Sequence, residues 1–364
     1  MLVFSVSGWL ENLLRVLAFS ILMKLLLVDG YSLLYRAFFS SPPLTTREGQ
    51  PTGALYGFMR MLLRLIDEKK PEYILVALDA SGPTFRNEMS SDYKANRQEM
   101  PDDLRPQTIL LRELLDGLSI ARYEHQGYEG DDVLGSLAQM GTERNFETIV
   151  VTGDGDALQL VSDNVTAVLT RRGVSDLDEY SPDKVREKYG FGPATIPDYK
   201  GLRGDTSDNI PGVPGIGEKT AMSLLSTRAT LEELYEQIED VTPPRIRELL
   251  RTHREAAFHS RELARIVTDL EIDVDFENCR FDMDDEEKRE TALATVRLFE
   301  FKSMIPRFSS GAAQTTDAST REQEIAPQRL LETAPCELQI AKSTAEVESW
   351  IAKHTAQKLS LIHI

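Results

Sequence analysis

The segment Gly127-Tyr128-Glu129-Gly130-Asp131-Asp132 sets three carboxylates within four positions, just ahead of an apolar helical pattern. Acids at a helix start can cap free N–H groups. They can also be cation ligands, because like charges this close repel one another and resist burial without a counter-charge. Three short apolar runs, Leu25–Val28, Tyr73–Leu78 and Thr148–Thr152, end in Asp29, Asp79 and the pair Asp154 and Asp156. A single Asp in such a place is an ordinary turn former. Repeated on three runs beside Glu129, Asp131 and Asp132, the pattern reads as one acidic pocket. Asp205 and Asp208, in Gly204-Asp205-Thr206-Ser207-Asp208-Asn209, add a pair spaced three apart, which on a helix shares a face.

Hard oxygen donors without His or Cys suit Mg²⁺ or Mn²⁺. The five histidines show no ligand spacing, and Cys279 and Cys336 form neither a disulfide framework nor a zinc pattern. Nine carboxylates exceed what one Mg²⁺ needs. Two ions, roughly 4 Å apart in phosphoryl-transfer sites, can activate a water and stabilise a leaving oxygen. Cations at the mouth of such a pocket would neutralise a scissile phosphate. Arg86, Lys94 and Arg97 follow Asp79 closely and are candidates, against the plainer reading of a solvated helix face. Tyr93 can stack on a base or simply pack.

In Pro214-Gly215-Ile216-Gly217-Glu218-Lys219-Thr220-Ala221, the glycines let the backbone approach a partner, and the next helix start offers N–H groups to a phosphate. With Lys219 this hairpin suits gripping a DNA backbone without reading its sequence. Carbonyls of the turn can also hold a monovalent cation such as K⁺. A lone Gly-x-Gly is otherwise a turn.

These residues need elements to position them. Short apolar strands alternate with helices predicted over 52–70, 107–118 and 131–144, which implies an α/β fold with a parallel sheet covered on both faces. In such sheets ligands bind at the carboxyl ends of strands, where Asp29, Asp79, Asp154 and Asp156 fall. After Pro193 the pattern turns helical, with helices through Leu225, over 231–238 and 245–254, and around 261–267. The 364 residues allow two or three domains, and the composition, 41% apolar and 27% charged, is that of a globular chain. A net charge of −18 speaks against nucleic acid at first sight. Local basic patches decide such binding, however, and much of the excess lies in the run Glu271–Glu290, read as solvated surface.

Residues 1–22 are apolar but interrupted by Glu11, Asn12 and Arg15, and fit neither a signal peptide nor a membrane span. The native start is expected at Met23. Residues 309–335 read as a linker, and 336–364 as the opening of a further domain. The last six residues read either as a buried strand or as translated sequencing adapter, and the second is expected.

Taken in order, Leu27-Val28-Asp29-Gly30, Leu78-Asp79-Ala80, Phe85-Arg86, Tyr93-Lys94-Ala95-Asn96-Arg97, Glu129-Gly130-Asp131-Asp132, Thr152-Gly153-Asp154-Gly155-Asp156, Gly204–Asn209 and the Pro214–Ala221 hairpin are specific. From about Met23 to Phe308 the chain resembles the 5′-nuclease domain at the N-terminus of bacterial DNA polymerase I, in the flap endonuclease superfamily. The resemblance implies a PIN-like domain with a helical arch over 23–200 and a helix–three-turn–helix subdomain over 201–308. It implies that Asp29, Asp79, Glu129, Asp131, Asp132, Asp154, Asp156, Asp205 and Asp208 form a two-metal site, and that Arg86 and Lys94 contact the reacting phosphate. The implied activity is hydrolysis of DNA at 5′ flaps, nicks and 5′ ends, in Okazaki-fragment maturation and repair, by a monomer in the bacterial cytoplasm at the nucleoid, without a membrane. Residues 336–364 resemble the start of that polymerase's 3′–5′ exonuclease-like domain. Gly155 departs from the basic residue many relatives carry there. A DNA-binding scaffold without catalysis and a PIN-type ribonuclease are the competing readings.

Overall fold

The computed structural model describes residues 23–170 and 176–309; the expectations for 1–22, for 310–335 and for 336–364 lie outside the described residues. Six strands, β1 (Lys24–Asp29), β2 (Tyr73–Ala77), β3 (Ala121–Tyr123), β4 (Glu147–Thr152), β5 (Val165–Thr170) and β6 (Leu177–Tyr180), form one sheet in the order β3-β2-β1-β4-β5-β6. The first five are parallel, as the apolar runs predict. β6 departs from that expectation and pairs antiparallel with β5 at the sheet edge. Only residues 171–176 separate the two strands, too few for the crossover that a parallel pair requires.

Helices α1 (Gly30–Ser40), α2 (Gly53–Lys69), α3 (Phe85–Met89), α4 (Arg105–Gly117) and α5 (Gly130–Glu143) belong to the sheet region. The period of two along β1 sorts its side chains between two cores. Leu26 and Val28 join Leu33, Phe58, Leu62, Leu111 and Leu115 on one face, under α1, α2 and α4. Leu25 and Leu27 join Val133, Leu134 and Leu137 on the other, under α5. Each fully buried Leu contributes about 2 kcal/mol, so an apolar strand this continuous is driven to the centre of the sheet.

Past β6 come α6 (Pro182–Tyr189), α7 (Ile196–Arg203), α8 (Glu218–Leu225), α9 (Leu231–Glu236), α10 (Pro244–Thr252) and α11 (Arg254–Ala264). Leu202, Ala221, Leu225, Leu231, Leu234 and Leu250 give these helices a core of their own. The expected boundary after residue 200 is not a break. Leu158, Ala167 and Tyr180 of the sheet region belong to that same core, and α7 spans the proposed division. The chain then returns to the sheet. Phe276 and Cys279 pack beside Tyr73, and α12 (Glu286–Leu298) and α13 (Ile305–Phe308) bring Ala292, Val296 and Phe308 to the core under α2 and α4. Strand order reverses between β1 and β4, and their carboxyl ends are therefore where the fold leaves a crevice.

Candidate metal centre and nucleic-acid interface

Asp29 ends β1 at this crevice. Its Oδ1 accepts from Ser32 N at 2.9 Å, capping α1, and its Oδ2 accepts from Thr152 Oγ1 of β4 at 2.7 Å. Asp154, two residues past β4, accepts from Asp156 N at 2.9 Å. Asp79, after β2, accepts from Gly130 N at 2.6 Å, so that β2 and the start of α5 share one carboxylate. A Cβ on Gly130 would lie 3.2 Å from Asp79 Oδ1, a tight contact that glycine avoids. Asp131 follows. Its Oδ1 is one of three buried side-chain atoms without a hydrogen-bond partner among the described residues.

These four carboxylates repel one another. Burial, with the neighbouring charges of Asp79 and Asp154, raises Asp29 from the ordinary 3.8 to about 7, against the hydrogen bonds from Thr152 and Ser32. Burial and the charges of Asp29 and Asp154 push Asp131 well up. Asp154 is also raised, by burial first, with Lys200 opposing. A cleft of about 510 Å³, lined by Tyr31, Ser32, Tyr35, Arg36, Phe39, Ser40 and Asp79, opens beside them.

The other five predicted ligands have cationic partners. Lys94 Nζ donates to both oxygens of Glu129 at 2.8 Å, and Tyr93 Oη donates to Glu129 at 3.0 Å. Arg97 donates to Asp208 Oδ1 at 2.6 Å. Lys200 donates to Asp156, and to Asp205 at 2.6 Å. Arg86 takes both oxygens of Asp132, which is fully buried and also accepts from the backbone N–H of Glu129 and Val267.

Several expectations change here. Asp132 has its acceptor positions filled by protein donors, and Arg86, 2% exposed, is enclosed rather than at a pocket mouth. Its other N–H groups donate to the carbonyls of Leu263 and Arg265 and, at 3.5 Å, to Glu129. Tyr93 packs with Ile210, Leu263 and Ala264 and presents no face for a base. Asp205 and Asp208 do not share a helix face. Asp205 and Ile210 instead exchange backbone hydrogen bonds, closing a tight loop, so Asp205 turns to Lys200 and Asp208 to Arg97. Lys94 and Arg97 remain partly and well exposed respectively, on a segment where Lys94 has φ 57°.

Lys200 is the residue that sequence reasoning missed. A lysine five places before Asp205 in an amphipathic helix looks like surface, and only the packing of α7 against the segment after β4 buries it. Ser32 and Thr152, which orient Asp29, were equally silent.

At the hairpin, Gly215 has φ 87°, a left-handed conformation that favours glycine, and Gly217 caps α8 in extended conformation. Ile216 is buried among the helical core, while Gly215, Gly217 and Lys219 are exposed. The start of α8 and Lys219 are therefore both exposed. Gly155 is exposed, and a Cβ there would meet nothing within 4 Å, so the missing basic side chain leaves no packing defect.

Comparison with known proteins bears on the family and the fold. Residues 24–190 match the 5′-3′ exonuclease N-terminal resolvase-like domain, and residues 191–287 match the 5′-3′ exonuclease C-terminal SAM fold. The chain belongs to the 5′-3′ exonuclease family. It is 42% identical to DNA polymerase I of Bacillus subtilis (strain 168) over 299 residues, which is 82% of this chain and 34% of that one. The chain thus spans about a third of the length of the curated relatives it matches. T5 5′-exonuclease with bound zinc shares the fold at a TM-score of 0.56 and 20% identity, over 78% of this chain and 99% of that one. The T5 D15 flap endonuclease, solved as a pseudo-enzyme-product complex with DNA and metal ions, gives 0.54 and 19% over 78% and 98%.

This 5′-3′ exonuclease domain has a donor set that fits divalent metal ions. The donors are hard carboxylate oxygens, and a buried, unpartnered Asp131 Oδ1 among raised acids is what a missing cation would leave. Among the described residues, no three Asp, Glu, His or Cys side chains stand close enough to enclose an ion as they are. Among the described residues, no helix is long and apolar enough to cross a membrane.

Proposed function

We propose that the domain hydrolyses DNA phosphodiesters at 5′ flaps, nicks and 5′ ends with Mg²⁺ or Mn²⁺, two ions in the working enzyme. The supporting observation is the unpartnered Asp131 Oδ1 within the group of Asp29, Asp79 and Asp154, at the carboxyl ends of β1, β2 and β4. Asp29, Asp79, Glu129, Asp131, Asp154, Asp156, Asp205 and Asp208 would hold these ions. Such ions lower the pKa of a water and stabilise the charge on the leaving oxygen.

The protein's own groups do the rest. Ser32 and Thr152 each hold one oxygen of Asp29 and so fix its orientation. Lys94 and Arg97, exposed enough to turn, exchange Glu129 and Asp208 for the substrate phosphate and neutralise it. Arg86 and Asp132 hold the base of this segment in place instead of touching the phosphate. Gly215, Gly217 and Lys219 bind the duplex backbone, with K⁺ at the turn carbonyls. The protein would act as a monomer at the bacterial nucleoid, as part of a DNA polymerase I that processes Okazaki fragments and repair intermediates.

Incubation with a 5′-flap DNA and a matched RNA, in Mg²⁺ or in EDTA, tests this. Flap cleavage in Mg²⁺ that stops in EDTA is expected. Cleavage of RNA alone would instead make the domain a ribonuclease, and binding without cleavage would make it a scaffold.

A further inference from the structure

Lys200 lies in the last turn of α7 and is 8% exposed. Its ammonium is bound by Asp156, also 8% exposed, and by Asp205 at 2.6 Å. An ammonium out of water is stable only when paired, and here both partners are carboxylates. The hydrogen bonds to Asp29, Asp79 and Asp154 come, by contrast, from backbone N–H and hydroxyl groups, and Asp131 Oδ1 has none. The acidic group therefore has two unlike halves, one whose hydrogen bonds come from neutral donors and one in direct contact with a cation.

We propose that Lys200 is a positioning residue that acts as an internal counter-ion, holding Asp156 and Asp205 in the metal-free enzyme and withdrawing before they accept a divalent cation. The inference rests on the metal reading of the acidic group given above. An ammonium and a divalent ion bound to the same two carboxylates would repel at contact distance. Removing one buried partner leaves the others uncompensated, so the flexible four-carbon stem of Lys200 has to swing as a cation enters. The two halves consequently load with unequal affinity, the half around Asp131 first. Lys200 also keeps two mutually repelling carboxylates, one just after α7 and one on the segment after β4, from parting while no ion is present.

Mn²⁺ titration at one fixed pH without DNA, followed by the electron paramagnetic resonance signal of free Mn²⁺, tests this on the whole chain. The wild type should show one tighter and one weaker ion. Lys200→Met, which keeps most of the stem and removes the charge, should tighten the weaker ion by about tenfold or more. Lys200→Arg should keep the wild-type pattern. In EDTA, Lys200→Met should melt below the wild type, and Mn²⁺ should close that gap. An unchanged or loosened weaker ion in Lys200→Met overturns the counter-ion role while leaving the metal site standing. Failure of the wild type itself to bind Mn²⁺ overturns the metal reading and this inference with it. Should Lys200→Met not fold, Lys200→Gln makes the same comparison, and a gain in stability of either variant in EDTA also overturns the proposal.

Discussion

The guanidinium of Arg86 donates to both oxygens of Asp132, at 2.6 and 2.8 Å, where one residue is 2% exposed and the other fully buried. The pair joins three pieces of chain. Arg86 is on α3, and Asp132 is in the first turn of α5. The carbonyls of Leu263 and Arg265 and the N–H of Val267 belong to the end of α11 and the residues just beyond it. The base of the segment carrying Lys94 and Arg97 is thereby fixed to the helix that carries Glu129 and Asp131.

Arg86→Ala should therefore act on stability first. It leaves the Asp132 carboxylate buried without its cation, a change that costs about 3–5 kcal/mol. Arg86→Met with Asp132→Leu should cost less than the sum of the single changes, because no charge is left alone. Urea unfolding of the single and double variants measures both. Normal stability with lost turnover in Arg86→Ala would return Arg86 to the phosphate.

Asp131→Asn should raise the stability of the metal-free protein at neutral pH and abolish most cleavage. It removes a buried acid that its neighbours already push toward the neutral form, and removes a ligand oxygen with it. Thermal melting in EDTA and a flap-cleavage assay in Mg²⁺ should move in opposite directions. A variant that cleaves at the wild-type rate would show that Asp131 is not a ligand.

The raised acids also fix how stability depends on pH. Asp29 stands at about 7 in the folded protein against an ordinary 3.8, so between these values the folded state holds a proton that the unfolded state gives up. Stability from this group is full below about pH 4 and falls as pH rises toward 7, with Asp131 and Asp154 contributing in the same direction. In EDTA the gain of Asp131→Asn over the wild type should accordingly grow from pH 5 to pH 8. Mg²⁺ should raise the wild-type melting temperature more at pH 8 than at pH 5. An equal Mg²⁺ shift at both values would contradict the coupling of these acids to the ion.

Lys219→Ala should weaken duplex binding, lower the slope of log K against log salt by about one, and leave melting temperature unchanged, since the side chain is exposed. Gly215→Val should weaken binding and also destabilise, because φ 87° strains a β-branched residue and the new Cβ comes 3.1 Å from Leu249. Binding titrations at three salt concentrations separate the two.

The sequence alone determined that strands end in acids. Leu25–Val28, Tyr73–Leu78 and Thr148–Thr152 are apolar enough to be buried on both faces, and a parallel sheet aligns their carboxyl ends, so Asp29, Asp79 and Asp154 had to meet. The helix start at Glu129–Asp132 was legible for the same reason: capping residues and an apolar period stand next to each other in the chain. What a local pattern does not carry is which charge faces which. Asp131 and Asp132 are neighbours of one type, yet a helical turn sends one to the crevice and the other to Arg86. Lys200 and Asp205 lie five apart on a helix and a loop, and only the packing of α7 against the segment after β4 encloses the first. Partner choice among charges depends on distance through space and on the loss of water around them, and the tertiary structure alone sets both.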